Sequence, residues 1–173
     1  MKMRIVVSLS TVPSRVQYIN QIVECLKKQT CKVDCIYINL PKWSHRQNVA
    51  YPDVDETLKH DPQIHIVRCH DYGPITKLYP VLAHETNPET LIITVDDDIE
   101  YIPERVALLA KWAQKYQDAA IGGSGFILGE WWNFFGTVRT PKNITAVDVL
   151  EGYSGCAYRR KFFDNDLIDY TDA

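Results

Sequence analysis

Three consecutive aspartates, Asp96, Asp97 and Asp98, follow directly on the apolar run Leu91-Ile92-Ile93-Thr94-Val95. Carboxylates about 5 Å apart repel by roughly 3 kcal/mol at an effective dielectric of 20. Ending a strand does not require that cost. A divalent cation reverses its sign, because hard carboxylate oxygens are the ligands Mg2+ and Mn2+ prefer. Extended geometry carried through the triplet predicts Asp96 and Asp98 on one side and Asp97 on the other. A cation held by only one or two protein carboxylates keeps positions open for phosphate oxygens, so the expected ligand is a metal-bound diphosphate. The competing reading is a solvated acidic turn that caps the next helix, since Asp favours turns and first helical turns.

The elements that must carry this triplet alternate between strand-like and helix-like patterns, which predicts α/β layering. Arg4 to Leu9 reads as a buried strand ending in the small polar residues Ser8, Ser10 and Thr11. Pro13 and Ser14 open a helix with Val16, Ile19, Val23 and Leu26 at helical spacing. Ile36, Ile38 and Leu40 alternate as a second strand, and Ile64, Ile66 and Val67 form a third. Residues 41–62 read as loop with one short helix. Pro74 starts a helix through Leu82 that Pro80 should kink. Leu91 to Val95 is the clearest strand, and open α/β sheets bind ligands beyond the carboxyl ends of such strands. Pro103 opens a helix with Val106, Leu109, Ala113 and Tyr116 on one face. Ala119 to Phe126 predicts a Gly-punctuated strand and turn, Val147 and Val149 a late strand, and Arg159 to Phe163 a helix start.

Ile92 to Asp98 resembles the Asp-x-Asp segment of GT-A-fold glycosyltransferases, which move a sugar from a nucleotide-sugar donor. Val6 to Thr11 with Arg15 resembles that family's first strand and nucleotide-binding turn. Tyr72-Gly73-Pro74-Ile75-Thr76-Lys77 is similar to its donor-side helix start, and Gly155 to Arg160 to the segment before its late helix. The resemblance implies a GT-A-like three-layer sandwich with a mixed, mostly parallel sheet, spanning residues 1–173 as one domain that ends short of the family's usual C-terminus. It implies Asp98 as principal ligand of Mn2+ or Mg2+, with Asp96 sharing the metal or reaching the donor ribose and Asp97 supporting the loop or the sugar. Ser8, Ser10 and Thr11 would line the nucleoside pocket. Arg15 and Lys77 would contact the nucleotide or its phosphates; Lys77, read in a first helical turn, opposes the helix dipole and so invites an anionic partner. The implied donor is a UDP-sugar and the implied acceptor a glycan or glycoside hydroxyl.

A base for an inverting member is sought downstream of the late strand, among Asp148, Glu151, Asp164, Asp166 and Asp169. Glu151 is the choice, because it precedes Gly152 and Gly155 at a predicted strand end. A module that binds a nucleotide-sugar or glycan without turnover needs the same pocket and no base, and stays open beside the enzyme. Trp131, Trp132, Phe134 and Phe135 form an aromatic loop suited either to the apolar faces of an acceptor sugar or to the core. His65, Cys69, His70 and Asp71 only superficially resemble a metal cluster, because strand and turn residues do not readily converge on one ion.

Composition excludes several classes. The chain has 173 residues, 19 Lys and Arg against 22 Asp and Glu for a net charge of −3, and 46% hydrophobic residues. That is globular rather than disordered, and carries no basic block for broad nucleic-acid binding. No apolar run reaches the ~18 residues a membrane span needs, and no signal-peptide pattern opens the chain. Five cysteines, an odd number with no Cys-x-x-Cys pair, read as reduced thiols. The expectation is a soluble, cytoplasmic domain.

Overall fold

The structure, a computed structural model, describes residues 3–129, the backbone of 134–139, and residues 144–164. Its strands are β1 (Ile5–Ser10), β2 (Cys35–Pro41), β3 (Trp43–Ser44), β4 (Val49–Ala50), β5 (Ile64–Cys69), β6 (Leu91–Thr94), β7 (Ile121–Gly122), β8 (Ser124–Leu128), β9 (Phe134–Arg139), β10 (Val149–Leu150) and β11 (Cys156–Arg159). Its α-helices are α1 (Ile19–Lys27), α2 (Glu56–Lys59), α3 (Tyr79–His84) and α4 (Arg105–Lys115). Six strands form the main sheet in the order β5-β2-β1-β6-β11-β7. The first four are parallel and β11 runs antiparallel to both its neighbours, so the sheet is mixed and mostly parallel, as the resemblance implied. A second sheet, β10-β8-β9, and the β3–β4 hairpin stand outside it.

The strands are near-continuous apolar runs because both faces of the sheet are covered. One face carries Val7, Leu9, Ile36, Ile38, Leu91 and Ile93 against Ile19, Ile22, Val23 and Leu26 of α1 and Val106, Leu109, Ala110 and Ala113 of α4. The other face carries Val6, Tyr37, Val67 and Ile92 against Tyr79, Val81 and Leu82 of α3. Three layers result, helices on both sides of one sheet. The apolar spacing of α4 is therefore 106, 109, 110, 113; Tyr116 lies past the helix end and is exposed.

Local chemistry adjusts several predicted elements. Pro13 opens a 3-10 turn, Pro13–Tyr18, before α1 begins. Gly73–Lys77 is likewise a 3-10 turn, and α3 starts anew after Leu78 with Pro80 in its first turn. A proline lacking an N–H fits a first turn and not a helix interior, so the chain breaks before Pro80 instead of kinking at it. The late strand at 147–149 shrinks to β10. The strand that completes the main sheet is β11, and Arg159 ends it before a short 3-10 turn, Arg160–Phe162, where a helix start was expected. Gly155 enters β11 at φ 83, a backbone state side chains avoid. Phe134 and Phe135 begin β9 rather than a loop; Trp131, Trp132, Asp166 and Asp169 lie outside the described residues.

Glu85, at the end of α3, accepts from both sides of the Arg4 guanidinium (2.7 and 2.9 Å), from the Tyr37 hydroxyl (2.7 Å) and from Thr90 (3.4 Å). Burial alone raises a carboxyl, but these donors outweigh it and hold Glu85 below its usual range. Its folded-state value is thus below its unfolded one, so unfolding takes up a proton in the acid range. The stabilisation is complete above the ordinary Glu range near ~4.3 and is lost as pH falls through and below it. Urea midpoints should therefore fall on acidification from about pH 5 to about pH 3. Glu85→Gln should flatten that dependence and cost about 1–3 kcal/mol at neutral pH.

Candidate active site at the carboxyl ends of β1 and β6

β1 lies between β2 and β6, with the chain leaving it outward through β2 and β5 and returning on its other side as β6. The strand order therefore reverses between β1 and β6, where open α/β sheets form a crevice. Ser8 pairs with Thr94, so Ser10 to Val12 and Asp96 to Asp98 emerge side by side. They line a cavity of about 630 Å3 with Arg15, Asp71, Thr76, Lys77, Tyr51 and the hairpin residues Ser44, His45 and Arg46.

Strand geometry ends at Thr94, and Asp97 and Asp98 sit in a turn. Side-chain alternation is lost there: Asp97 and Asp98 meet the same Arg15 guanidinium, and all three aspartates line this cavity, Asp97 and Asp98 also reaching a second one beside α1. The Arg15 guanidinium forks across two of them, 2.8 Å from Asp97 Oδ1 and 2.6 Å from Asp98 Oδ2. The Lys77 ammonium donates to Asp96 Oδ1. Asp97 also accepts from the Thr11 hydroxyl, and its side chain is 5% exposed. Both its oxygens are committed. Asp98 is 52% and Asp96 30% exposed, and each leaves its other oxygen without a partner among the described residues.

The remaining predicted residues divide. Ser10 and Thr11 line the cavity. Ser8 does not: its side chain is fully buried and its hydroxyl accepts from Asn39 Nδ2 at 2.9 Å. It points into the face that α3 covers, one layer beneath the crevice. Lys77 sits at the last residue of the 3-10 turn, not in a first helical turn, so the helix-dipole argument falls away and Asp96 is its anionic partner. Glu151 does not line the cavity; its Oε2 is buried without a hydrogen-bond partner among the described residues. Gly152, the next residue, would place a Cβ 2.8 Å from Lys77 Nζ, so the turn after β10 lies directly on the Lys77–Asp96 pair.

Tyr101 matters here without any signal in the sequence, and Asp71, named above only within a superficial metal-like stretch, has another role. The buried Tyr101 hydroxyl accepts from Asp96 N (2.9 Å) and donates to Tyr153 O (2.8 Å), tying the acidic turn to the turn after β10. Burial pushes its phenol well above the ordinary tyrosine range. A lone tyrosine three residues past the triplet gives no signal for this. Asp71 caps the backbone N–H groups of His45 (2.8 Å) and Gly73 (2.9 Å). His65, its sequence-stretch companion, instead packs its ring on Tyr37 and His84.

The donor set fits a hard divalent cation in chemistry, since Asp96 and Asp98 each offer an unused oxygen. Among the described residues no three metal-binding side chains are grouped to hold an ion by themselves, so a ligand would have to complete the shell.

No protein-family model and no curated protein matches the sequence. Solved structures do match its fold. A 4-diphosphocytidyl-2C-methyl-D-erythritol synthase superposes with a TM-score of 0.53 at 12% identity, over 99% of this chain and 82% of the other. A CMP:2-keto-3-deoxy-manno-octonic acid synthetase, solved with CTP, gives 0.56 at 13% over 98% and 78%. TarS residues 1–349 from S. aureus gives 0.54 at 15%, over 91% of this chain and 47%, about half, of that one. The chain shares the fold of these structures, helices on both faces of a mixed, mostly parallel sheet. No helix among its described residues is long and apolar enough to cross a membrane.

The burial contrast sorts the triplet by role. Asp97→Ala should cost about 1–3 kcal/mol in urea unfolding, because Thr11 and Arg15 lose a buried acceptor. Asp98→Ala should stay within about 0.5 kcal/mol. Equal losses would remove the distinction.

Proposed function

We propose that this chain is a metal-dependent glycosyltransferase domain that moves a sugar from a nucleotide-diphosphate donor, a UDP-sugar, to the hydroxyl of a glycan or glycoside acceptor. The observation that supports it is the meeting of Asp96, Asp97 and Asp98 with Arg15 and Lys77 on one cavity at the strand-order reversal. Asp98 and Asp96 would hold Mn2+ or Mg2+, which supplies Lewis-acid stabilisation of negative charge on a departing diphosphate. Ser10 and Thr11 flank the nucleoside. Arg15 and Lys77 exchange carboxylate partners for phosphate oxygens, keeping each cation paired throughout. Asp97 positions Thr11 and Arg15 and stays out of the chemistry. The transition state is oxocarbenium-like, so water must be excluded to avoid donor hydrolysis.

The acceptor hydroxyl needs a base, and Glu151 is the proposed one, on its partnerless oxygen and its place beside Gly152. Its absence from the cavity lining favours a second reading, a module that binds a nucleotide-sugar or glycan without turnover.

Thermal shifts with UDP, CDP, GDP and their sugars, each with and without Mn2+, test the first statement. A UDP-dependent rise only with metal, lost in Asp98→Ala, is expected; no response to any nucleotide defeats the transferase reading and the nucleotide-sugar form of the second. Transfer or donor hydrolysis lost in Glu151→Gln with nucleotide binding intact identifies the enzyme, whereas binding without turnover in the unaltered chain identifies the module. Gly152→Ala should displace the Lys77 ammonium, at the end of a flexible stem, and weaken UDP binding while leaving stability within about 0.5 kcal/mol.

A further inference from the structure

Four carboxylates and three permanent cations line the cavity: Asp71, Asp96, Asp97 and Asp98 against Arg15, Lys77 and Arg46. Arg15 and Lys77 are occupied by the triplet. Asp71 is occupied by two backbone N–H groups, from His45 and Gly73. Arg46 alone of the three cations has no partner among the described residues.

An unpaired arginine on a surface is ordinary, but the backbone carrying this one is fixed on both flanks. On one side the His45 N–H is bound to Asp71, in the loop after β5. On the other, Gln47 makes a reciprocal pair with Ser14 in the 3-10 turn after β1: its amide donates to Ser14 Oγ (2.8 Å) and accepts from Ser14 N (3.1 Å). Beneath, the buried Ser44 accepts from Gln47 N at its hydroxyl (3.2 Å) and from Asn48 N at its carbonyl (2.8 Å). Asn48 closes the turn at φ 55, a state asparagine tolerates. The β3–β4 hairpin thus spans two walls of the cavity, hydrogen-bonded on both flanks of Arg46, whose guanidinium is uncommitted among the described residues.

We propose that Arg46 is an anion-binding residue of this cavity, engaging a phosphate group of a nucleoside diphosphate. The inference rests on the nucleotide reading above and adds to it a residue from an element that the triplet does not organise. A guanidinium suits this role because its planar fork meets two phosphate oxygens at once, and because it brings charge without first leaving a carboxylate.

Calorimetric titration of the unaltered chain, Arg46→Gln and Arg46→Lys with UDP, inorganic pyrophosphate and uridine, in Mn2+-containing buffer at low and high salt, tests it. Arg46→Gln should weaken UDP and pyrophosphate on the order of tenfold, reduce their salt dependence and leave uridine unchanged. Arg46→Lys should recover only part, and unfolding midpoints should match. Arg46→Gln binding UDP and pyrophosphate as the unaltered chain does would overturn the proposal while leaving the nucleotide reading intact. Pyrophosphate binding that depends on Arg46 without any nucleotide response would support the anion site and overturn its assignment to a nucleoside diphosphate. No binding of either ligand by the unaltered chain would overturn both.

Discussion

Three like charges in consecutive positions at the rim of a sheet have to be balanced before any ligand arrives. Arg15 and Lys77 supply that balance from two separate elements, one guanidinium bridging Asp97 and Asp98 and one ammonium on Asp96. Each cation is carried on a proline-opened 3-10 turn, Pro13–Tyr18 after β1 and Gly73–Lys77 after β5. The tight turns bring charged stems back over the strand ends within a few residues. The charge pairs therefore also join the two sides of the crevice, and the rest of the site is arranged around them.

Beneath that rim the face covered by α3 changes character along the strands. Val6, Tyr37 and Ile92 are apolar and packed on Val81 and Leu82. Next along the same strands come Ser8, Asn39 and Thr94, all fully or nearly fully buried yet polar, with Ser8 and Asn39 bonded to each other. Then come Ser10 and Asp96 at the cavity. Buried polar groups need partners: Asn39 Nδ2 donates to Ser8 Oγ and Leu9 O and Thr94 donates to Cys156 O, whereas Asn39 Oδ1 has no partner among the described residues. The Tyr101 hydroxyl has a comparable task from the α4 side, joining Asp96 to Tyr153 through two hydrogen bonds.

The fold likeness persists at 11–15% identity among the solved structures with TM-scores of 0.53 to 0.56. What such distant chains can share is the burial pattern: apolar strands covered on both faces and a reversal of strand order that leaves a crevice. The chemistry of each site lies in the side chains placed around that crevice, which a shared fold does not specify. In this chain the Gly73–Lys77 turn brings Gly73, Pro74, Thr76 and Lys77 to the crevice beyond the strand ends, and the β3–β4 hairpin brings Ser44, His45 and Arg46.

The amino-acid sequence by itself determined the parallel strands, the helical stripes and the position of the acidic triplet, because each is a local pattern of apolar period or charge. The apolar run before it puts the triplet at a strand end, while Ser10, Thr11, Arg15 and Lys77 entered only through the resemblance, and the structure sets them around the same cavity. Only the tertiary structure decided that Ser8 is buried, that Asp97 is consumed by Thr11 and Arg15, and that Glu151 stands off the cavity. It alone placed β11 between β6 and β7, and brought Tyr101, Asp71 and Arg46 to the site. Those outcomes depend on which strand neighbours which and on where a turn leaves extended geometry. Both are set by contacts between residues far apart in the chain, and a local pattern carries no record of them.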